Sequence, residues 1–259
     1  MQKVAMAIAA HPDDIEFLMA GTLALLKRAG YETHYMNLST GNCGSITTDS
    51  ETTTQIRMKE ARNSAEILGA TFHPPITDDF EIFYERELIK KLSAVIRQVQ
   101  PSIILTHSPS DYMEDHMNTS RLAVTAAFVR GIPNYLTEAP AVSNYNCAIY
   151  HSLPHGLLEP LRQKVEPELF IDTGQVHDLK LKALQAHESQ QAWLEDSQKM
   201  NSYIQTMEDF SRSIGNMSHE FEHAEGWRRR LHLGFSEPDF DPLKDLGHAY
   251  LLNKAFVES

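Results

Sequence analysis

The chain opens on an apolar run, Val4 to Ala10, broken by the polar cluster His11-Pro12-Asp13-Asp14. Apolar positions then recur at Ile15, Leu18, Met19, Leu23, Leu26 and Ala29. The run has the length of a buried parallel strand, and the spacing after it is helical. Pro12 suits the first turn of that helix, and Gly30 suits its end. Thr33 to Ser39 predicts a second strand, which runs into the glycine-bearing loop Thr40 to Ser45. A polar stretch from Thr47 leads to a helix from about Thr54 to Leu68, closed by Gly69, and Ala70 to His73 predicts a short third strand. Glu85 to Gln100 carries Leu88, Leu92, Val95, Ile96 and Val99 on one helical face, and Pro101 ends it. Ile103 to Leu105 predicts another buried strand, opening into the polar loop Thr106–His116. The helix beyond runs through Leu122, Ala126 and Ala127 to Gly131.

Strands alternating with helices predict an α/β fold, a mostly parallel sheet flanked by helices on both faces. The C-terminal portion is less regular. Cys147 to Tyr150 and Leu169 to Asp172 predict strands, and Asp178 to about Gln191 and Tyr203 to His223 predict helices. Phe235 to Ser259, with Pro238 and Pro242 among acids, reads as a loosely structured tail or an oligomer contact, which makes a homo-oligomer a candidate state. The expectation is one domain over 1–259, with its core in about 1–230.

Charge narrows the partners. A net charge of −12 argues against nucleic acid or an anionic membrane surface, and no apolar window reaches a membrane-spanning length. Two cysteines, Cys43 and Cys147, make no disulfide framework, so the expected compartment is the cytoplasm.

The chemistry sits at strand ends. His11, Asp13 and Asp14 follow the first strand, on the rim where open α/β sheets bind ligands. A catalytic zinc takes three nitrogen or carboxylate ligands and keeps a fourth position open. His11 and Asp14 can supply two, and His116, after the Ile103–Leu105 strand, is the candidate third. Asp13 would then be free to act as general base toward a metal-activated water. The blander readings are helix-capping acids at Asp13 and Asp14 and an ordinary surface histidine at His116. Glu16 reads as a first-turn acid favouring the helix dipole, and Arg57 with Glu60 as a surface ion pair. Trp227-Arg228-Arg229-Arg230 either pairs internally or lines a groove for an anionic group.

Ala10-His11-Pro12-Asp13-Asp14 with Gly21-Thr22-Leu23 resembles the signature of the LmbE-like, or PIG-L, N-acetylglucosaminyl deacetylases. So do Arg57-x-x-Glu60-Ala61, Asp111-Tyr112 to Asp115-His116, Lys182-Ala183-Leu184 with Ala186-His187-Glu188-Ser189-Gln190, and Ala224-Glu225-Gly226-Trp227, in family order. The resemblance implies a Rossmann-like fold and zinc-dependent removal of an acetyl group from an amino sugar. It implies His11, Asp14 and His116 as zinc ligands, Asp13 as general base, Arg57 as a substrate contact, and Asp115 as the aspartate that orients a catalytic histidine. It also lifts His187 toward the substrate, and Asn42 in the Thr40–Ser45 loop is taken as a further substrate contact.

One departure stands out. Relatives commonly read His-Pro-Asp-His where this chain reads Met113-Glu114-Asp115-His116. Methionine can neither donate a hydrogen bond nor carry a proton. Tyr112, His107 and His187 are the candidate substitutes, with Tyr112 preferred. Met113 also motivates an alternative: a metal-containing sugar-binding or regulatory protein with a weakened site.

Overall fold

A computed structural model describes residues 3–143, 145–191 and 203–257; the last two residues of the expected tail lie outside it. The elements follow in order as β1 (Val4–Ala9), α1 (Asp14–Leu18), α2 (Ala20–Arg28), β2 (Glu32–Asn37), α3 (Ser50–Ile67), β3 (Thr71–His73), α4 (Arg86–Val99), β4 (Ile103–Thr106) and α5 (Glu114–Phe128). The later ones are β5 (Ala148–Ser152), β6 (Leu169–Asp172), α6 (His177–Gln185), α7 (Tyr203–Ser218), β7 (Ala224–Arg229) and β8 (Tyr250–Leu252). One eight-stranded sheet takes the order β3-β2-β1-β4-β5-β7-β6-β8. The first five strands are parallel, and the pairings β5·β7, β7·β6 and β6·β8 are antiparallel.

Both sheet faces are covered, as the apolar β1 run predicts. Ala5, Ala7 and Ala9 pack with Leu23, Ala61, Ala183, Phe210 and Trp227 on one side; Met6, Ile8 and Ala10 pack with Leu92, Ile96, Leu122 and Ala126 on the other. After β3 the chain crosses back to lay β4 on the opposite side of β1, so the β1–β4 junction is the point where connections diverge. Such a switch point leaves a crevice at the strands' carboxyl ends.

The first helix is two helices. Met19, at φ −137° and ψ −21°, separates α1 from α2. The cause lies about two hundred positions away: Glu225 on β7 accepts from the Gly21 and Thr22 amides at 2.8 and 2.7 Å, capping α2 with a buried carboxylate. A Cβ at Gly21 would fall 2.4 Å from Thr173 Cγ2, so that close approach requires glycine. No local periodicity reports such a cap.

Further stretches also differ from the sequence pattern. Helix α3 starts at Ser50 because Asp49 caps it, its side chain accepting from Thr52 N. Helix α6 stops at Gln185, breaks at Ala186 and His187, and the chain is helical again over 188–191. Helix α7 stops at Ser218, His219 turns at φ 59°, and the stretch around Trp227 is strand β7. Its arginines are used internally: Arg228 Nε donates to Glu166 O, and Arg229 pairs with Glu168 and Asp241. The chain after Phe235 is not loose. Pro242–Ala249 forms a 3-10 segment and β8 closes the sheet edge against β6. Asp241 anchors it by accepting from Tyr150 and Tyr250 at 2.6 and 2.8 Å.

Candidate active site

Strand β1 ends at Ala9, and the chain turns sharply through His11, Pro12 and Asp13. Asp13 has φ 107° and ψ −26°, left-handed backbone that a non-glycine residue adopts only under constraint. Asn37 Nδ2 holds His11 O at 2.6 Å, and Asp14 Oδ2 takes the His11 amide at 2.7 Å. Beside this turn, β4 feeds the loop that begins α5.

His11, Asp14 and His116 converge there, with one ligand-competent atom from each lying within 4.8 Å of the others. The two imidazole centroids are 5.6 Å apart. Each imidazole also has a carboxylate behind it. Asp115 Oδ2 lies 3.0 Å from His11 Nε2, and Asp111 Oδ1 lies 3.0 Å from His116 Nδ1. His11 Nδ1 and His116 Nε2 then face Asp14 at 3.3 Å. Carboxylate–imidazole pairs of this kind fix the tautomer and aim of metal-binding histidines. With nitrogen and oxygen donors only, the set fits a zinc or similar divalent ion.

Burial lowers the His11 and His116 pKa values, but the flanking carboxylates outweigh it, raising His11 to about 9 and His116 to about 10. Burial raises Asp14, yet the His116 and His107 imidazoles hold it well below the usual carboxylate range. Asp13 is raised, by burial first, with Arg57 opposing. Its Oδ2 accepts from Tyr203 Oη at 2.8 Å and lies 3.5 Å from Arg57 Nη2. A raised carboxylate beside an ion site has the properties of a general base.

The remaining predicted residues fall into two groups. Arg57, Tyr112 and Met113 line a cavity of about 230 Å³ together with His11, Asp13, Asp14 and His116. Arg57 is not a surface ion pair: it is 3% exposed and bonded to Pro12 O. Asp115 holds His11 and takes the Phe80 amide at 2.8 Å, so in this chain it orients the imidazole at 11.

Asn42 and His187 are not brought to the cavity. Asn42 bridges Asp79 N and Ser50 Oγ, fastening its loop. His187 is fully buried, with Nε2 3.5 Å from Glu16 Oε1. Glu16 is likewise fully buried, accepting from Ser64 and Tyr35, and is no exposed first-turn acid. His107 is stacked beneath His116 at 4.1 Å, its Nε2 accepting from Ala10 N.

Sequence reasoning missed four contributors. Asp79 accepts from Ser39 Oγ and the Gly41 and Cys43 amides, shaping the 40–44 rim. Asp111 secures both Met113 N and His116. Tyr203 comes from α7, far along the chain. His155 follows β5, flanked by Pro154 and by Gly156 at φ 81°, and lines the cavity. Its signal was available: a histidine just past a buried strand, on the same rim as His11 and His116.

No helix among the described residues is long and apolar enough to cross a membrane. Comparison with known proteins places the chain in a family. Residues 6–127 match the PIG-L family, described as GlcNAc-PI de-N-acetylase. The diacetylchitobiose deacetylase of Thermococcus kodakarensis is 32% identical over 197 residues, covering 73% of this chain and 70% of its own. The 4-oxalmesaconate hydratase of Pseudomonas putida is 30% identical over 203 residues, covering 73% and 75%. The solved N,N'-diacetylchitobiose deacetylase of Pyrococcus horikoshii is 25% identical, with a TM-score of 0.73 over 93% of this chain and 88% of its own. By sequence match and fold, the chain belongs to the PIG-L, or LmbE-like, family.

Proposed function

We propose that the protein is a zinc-dependent hydrolase that removes the acetyl group from an N-acetylated amino sugar or sugar conjugate in the cytoplasm. The observation that carries this reading is the pairing of a three-residue ion site with a separate, positioned carboxylate. His11, Asp14 and His116 would hold the ion, with Asp115 and Asp111 aiming the imidazoles. The ion supplies Lewis acidity, polarising the acetyl carbonyl and bringing the pKa of water toward ~7. Asp13 takes the proton from the attacking water and passes it to the departing amine. Tyr203 and Arg57 keep that carboxylate aimed. Tyr112 edges over His116 at 5.6 Å, where it can contact the substrate.

A hydration reaction is the second reading, favoured by the Pseudomonas relative's name and by Met113, which removes a proton donor. The lining argues against a substrate bearing several carboxylates. Asp13, Asp14 and Asp79 face the cavity, and the one guanidinium there, Arg57, is engaged by Pro12 and Asp13. A neutral acetamido sugar, leaving as an amine, suits an acidic cavity better. A binding-only role is the third reading.

A panel of N-acetyl sugars assayed with the zinc-loaded protein decides among them. Acetate release is expected, and Asp13→Asn should retain zinc while losing turnover. Full activity in Asp13→Asn removes Asp13 from the mechanism; tight sugar binding with no acetate release leaves the binding role.

A further inference from the structure

Met113 lines the cavity at the start of α5 and offers no hydrogen bond to a reacting group. Hydrolysis of an amide builds negative charge on the acyl oxygen, and a positioned donor at that oxygen is among the largest contributions a protein makes. The donors around the cavity can be taken in turn. Arg57 turns Nη2 to Pro12 O and to Asp13, which places it on the side of the carboxylate, although its Nε is buried with no bonding partner. Tyr203 gives its hydroxyl to Asp13 and Gln190 its amide to Gly44 O. His107 lies beneath His116 with no exposure. Among the described residues that line the cavity, Tyr112 and His155 are the donors whose side chains are not turned to Asp13 or to the backbone.

Their placement separates them. Five rings form a continuous arc around the cavity: Tyr203, Phe17, His155, Tyr112 and His116, with successive centroids 5.1, 6.0, 6.5 and 5.6 Å apart. The arc begins at the residue that holds Asp13 and ends at a candidate ion ligand. His155 is its midpoint, lining the same cavity as Asp13, Asp14 and His116. Phe17 meets its ring edge-on and Phe210 lies 5.6 Å away, so the imidazole is aimed by packing on two sides. Tyr112 is 61% exposed, its ring held from one side by His116 and His155. A donor already held in place loses less on ordering than one that is hydrated and mobile.

We infer that His155 is the substrate-contacting hydrogen-bond donor of this site, giving its N–H to the reacting acyl oxygen in the role Met113 cannot fill. Burial keeps the imidazole's pKa down, so near neutral pH the ring carries one N–H to donate. The inference rests on the hydrolase reading above for the identity of the acyl group.

The test uses full-length zinc-loaded protein, His155→Leu and His155→Gln, with Tyr112→Phe beside them. Zinc stoichiometry, kcat for N-acetylglucosamine and affinity for acetohydroxamate are measured on each. His155→Leu should keep its zinc, lose ~10²-fold in kcat and bind acetohydroxamate about tenfold more weakly. His155→Gln, which retains an N–H, should recover most of both. The inference is overturned if His155→Leu stays within about threefold of the parent in both readouts, if His155→Gln is as impaired as His155→Leu, or if Tyr112→Phe loses more than His155→Leu. Where no acetamido sugar is turned over but the hydroxamate pattern holds, the deacetylase reading fails and His155 keeps its role. Where sugars are deacetylated and the pattern is absent, His155 alone is refuted.

Discussion

Tyr203 Oη donates to Asp13 Oδ2 at 2.8 Å, joining α7 to the turn after β1 across 190 positions of chain. Asp13 is thereby gripped from two sides, by a neutral donor and by the Arg57 guanidinium at 3.5 Å. Its left-handed backbone, φ 107°, already fixes the carboxylate's origin, and the two side chains fix its direction. Hydrogen bonds to charged groups contribute about 1.5–3 kcal/mol. Tyr203→Phe should therefore lower kcat by roughly ten- to a hundredfold with zinc content unchanged. Steady-state kinetics beside metal analysis checks this, and unchanged kcat means the hydroxyl is a packing group only.

Asp111 and Asp115 should separate metal affinity from catalysis. Both sit behind an imidazole, at 3.0 Å in each case, and neither belongs to the proposed His11, Asp14 and His116 ligand set. Losing such a partner typically costs ~10- to 100-fold in metal affinity. Asp111→Asn and Asp115→Asn should each bind zinc more weakly by that factor in competition with a chelator, and regain activity when zinc is raised. Normal affinity in both would mean that the imidazoles are held by packing alone.

How far the sequence could be read follows from the range of the interactions. Strand β1, the parallel half of the sheet and the convergence of His11, Asp14 and His116 were legible, because apolar runs and strand-end residues are local signals. The split at Met19 was not, since its cause is Glu225 on a distant antiparallel strand. Tyr203 was invisible for the same reason. His187 and Asn42 mislead in the opposite way: each sits in a recognisable motif or loop, yet one faces Glu16 and the other fastens Asp79 and Ser50. Spacing along a chain says which residues share an element, and it does not say which side of the element meets the cavity.

The Glu225 cap makes a stability prediction with an order. Glu225 accepts from Gly21 N, Thr22 N and Lys180 Nζ, the last at 2.7 Å, and both partners of the ion pair are buried. Removing one partner of a buried pair costs about 3–5 kcal/mol. Lys180→Met still leaves the carboxylate two amide donors. Glu225→Leu orphans an ammonium and two amides together. Urea denaturation should rank Glu225→Leu as the more destabilised, and the reverse order would show that the amides find other partners.

Acid should weaken the fold through buried neutral histidines. His151 is lowered to about 4, mainly by burial and further by Arg230, although its Nδ1 lies 2.8 Å from His107 O, which favours the proton. His73 is also lowered to about 4, by burial and then by His34, but it is less deeply placed and contributes less. An unfolded histidine titrates near 6.5. Between that value and about 4 the unfolded chain binds more protons at these positions than the folded one, so stability rises with pH across the window. The contribution is fully present above about 6.5 and is lost progressively as pH falls, at up to about 1.4 kcal/mol per pH unit for a fully buried group. His151→Gln removes that titration. It should lower stability at pH 7, where the Nδ1 bond to His107 O is disturbed, and flatten the loss between pH 6.5 and 4.5 relative to the parent. Denaturation midpoints at several pH values measure the two slopes. Parallel slopes would remove His151 from the acid sensitivity in this window; Asp14, held well below its usual range, gives the same sign of dependence only at about pH 4 and below.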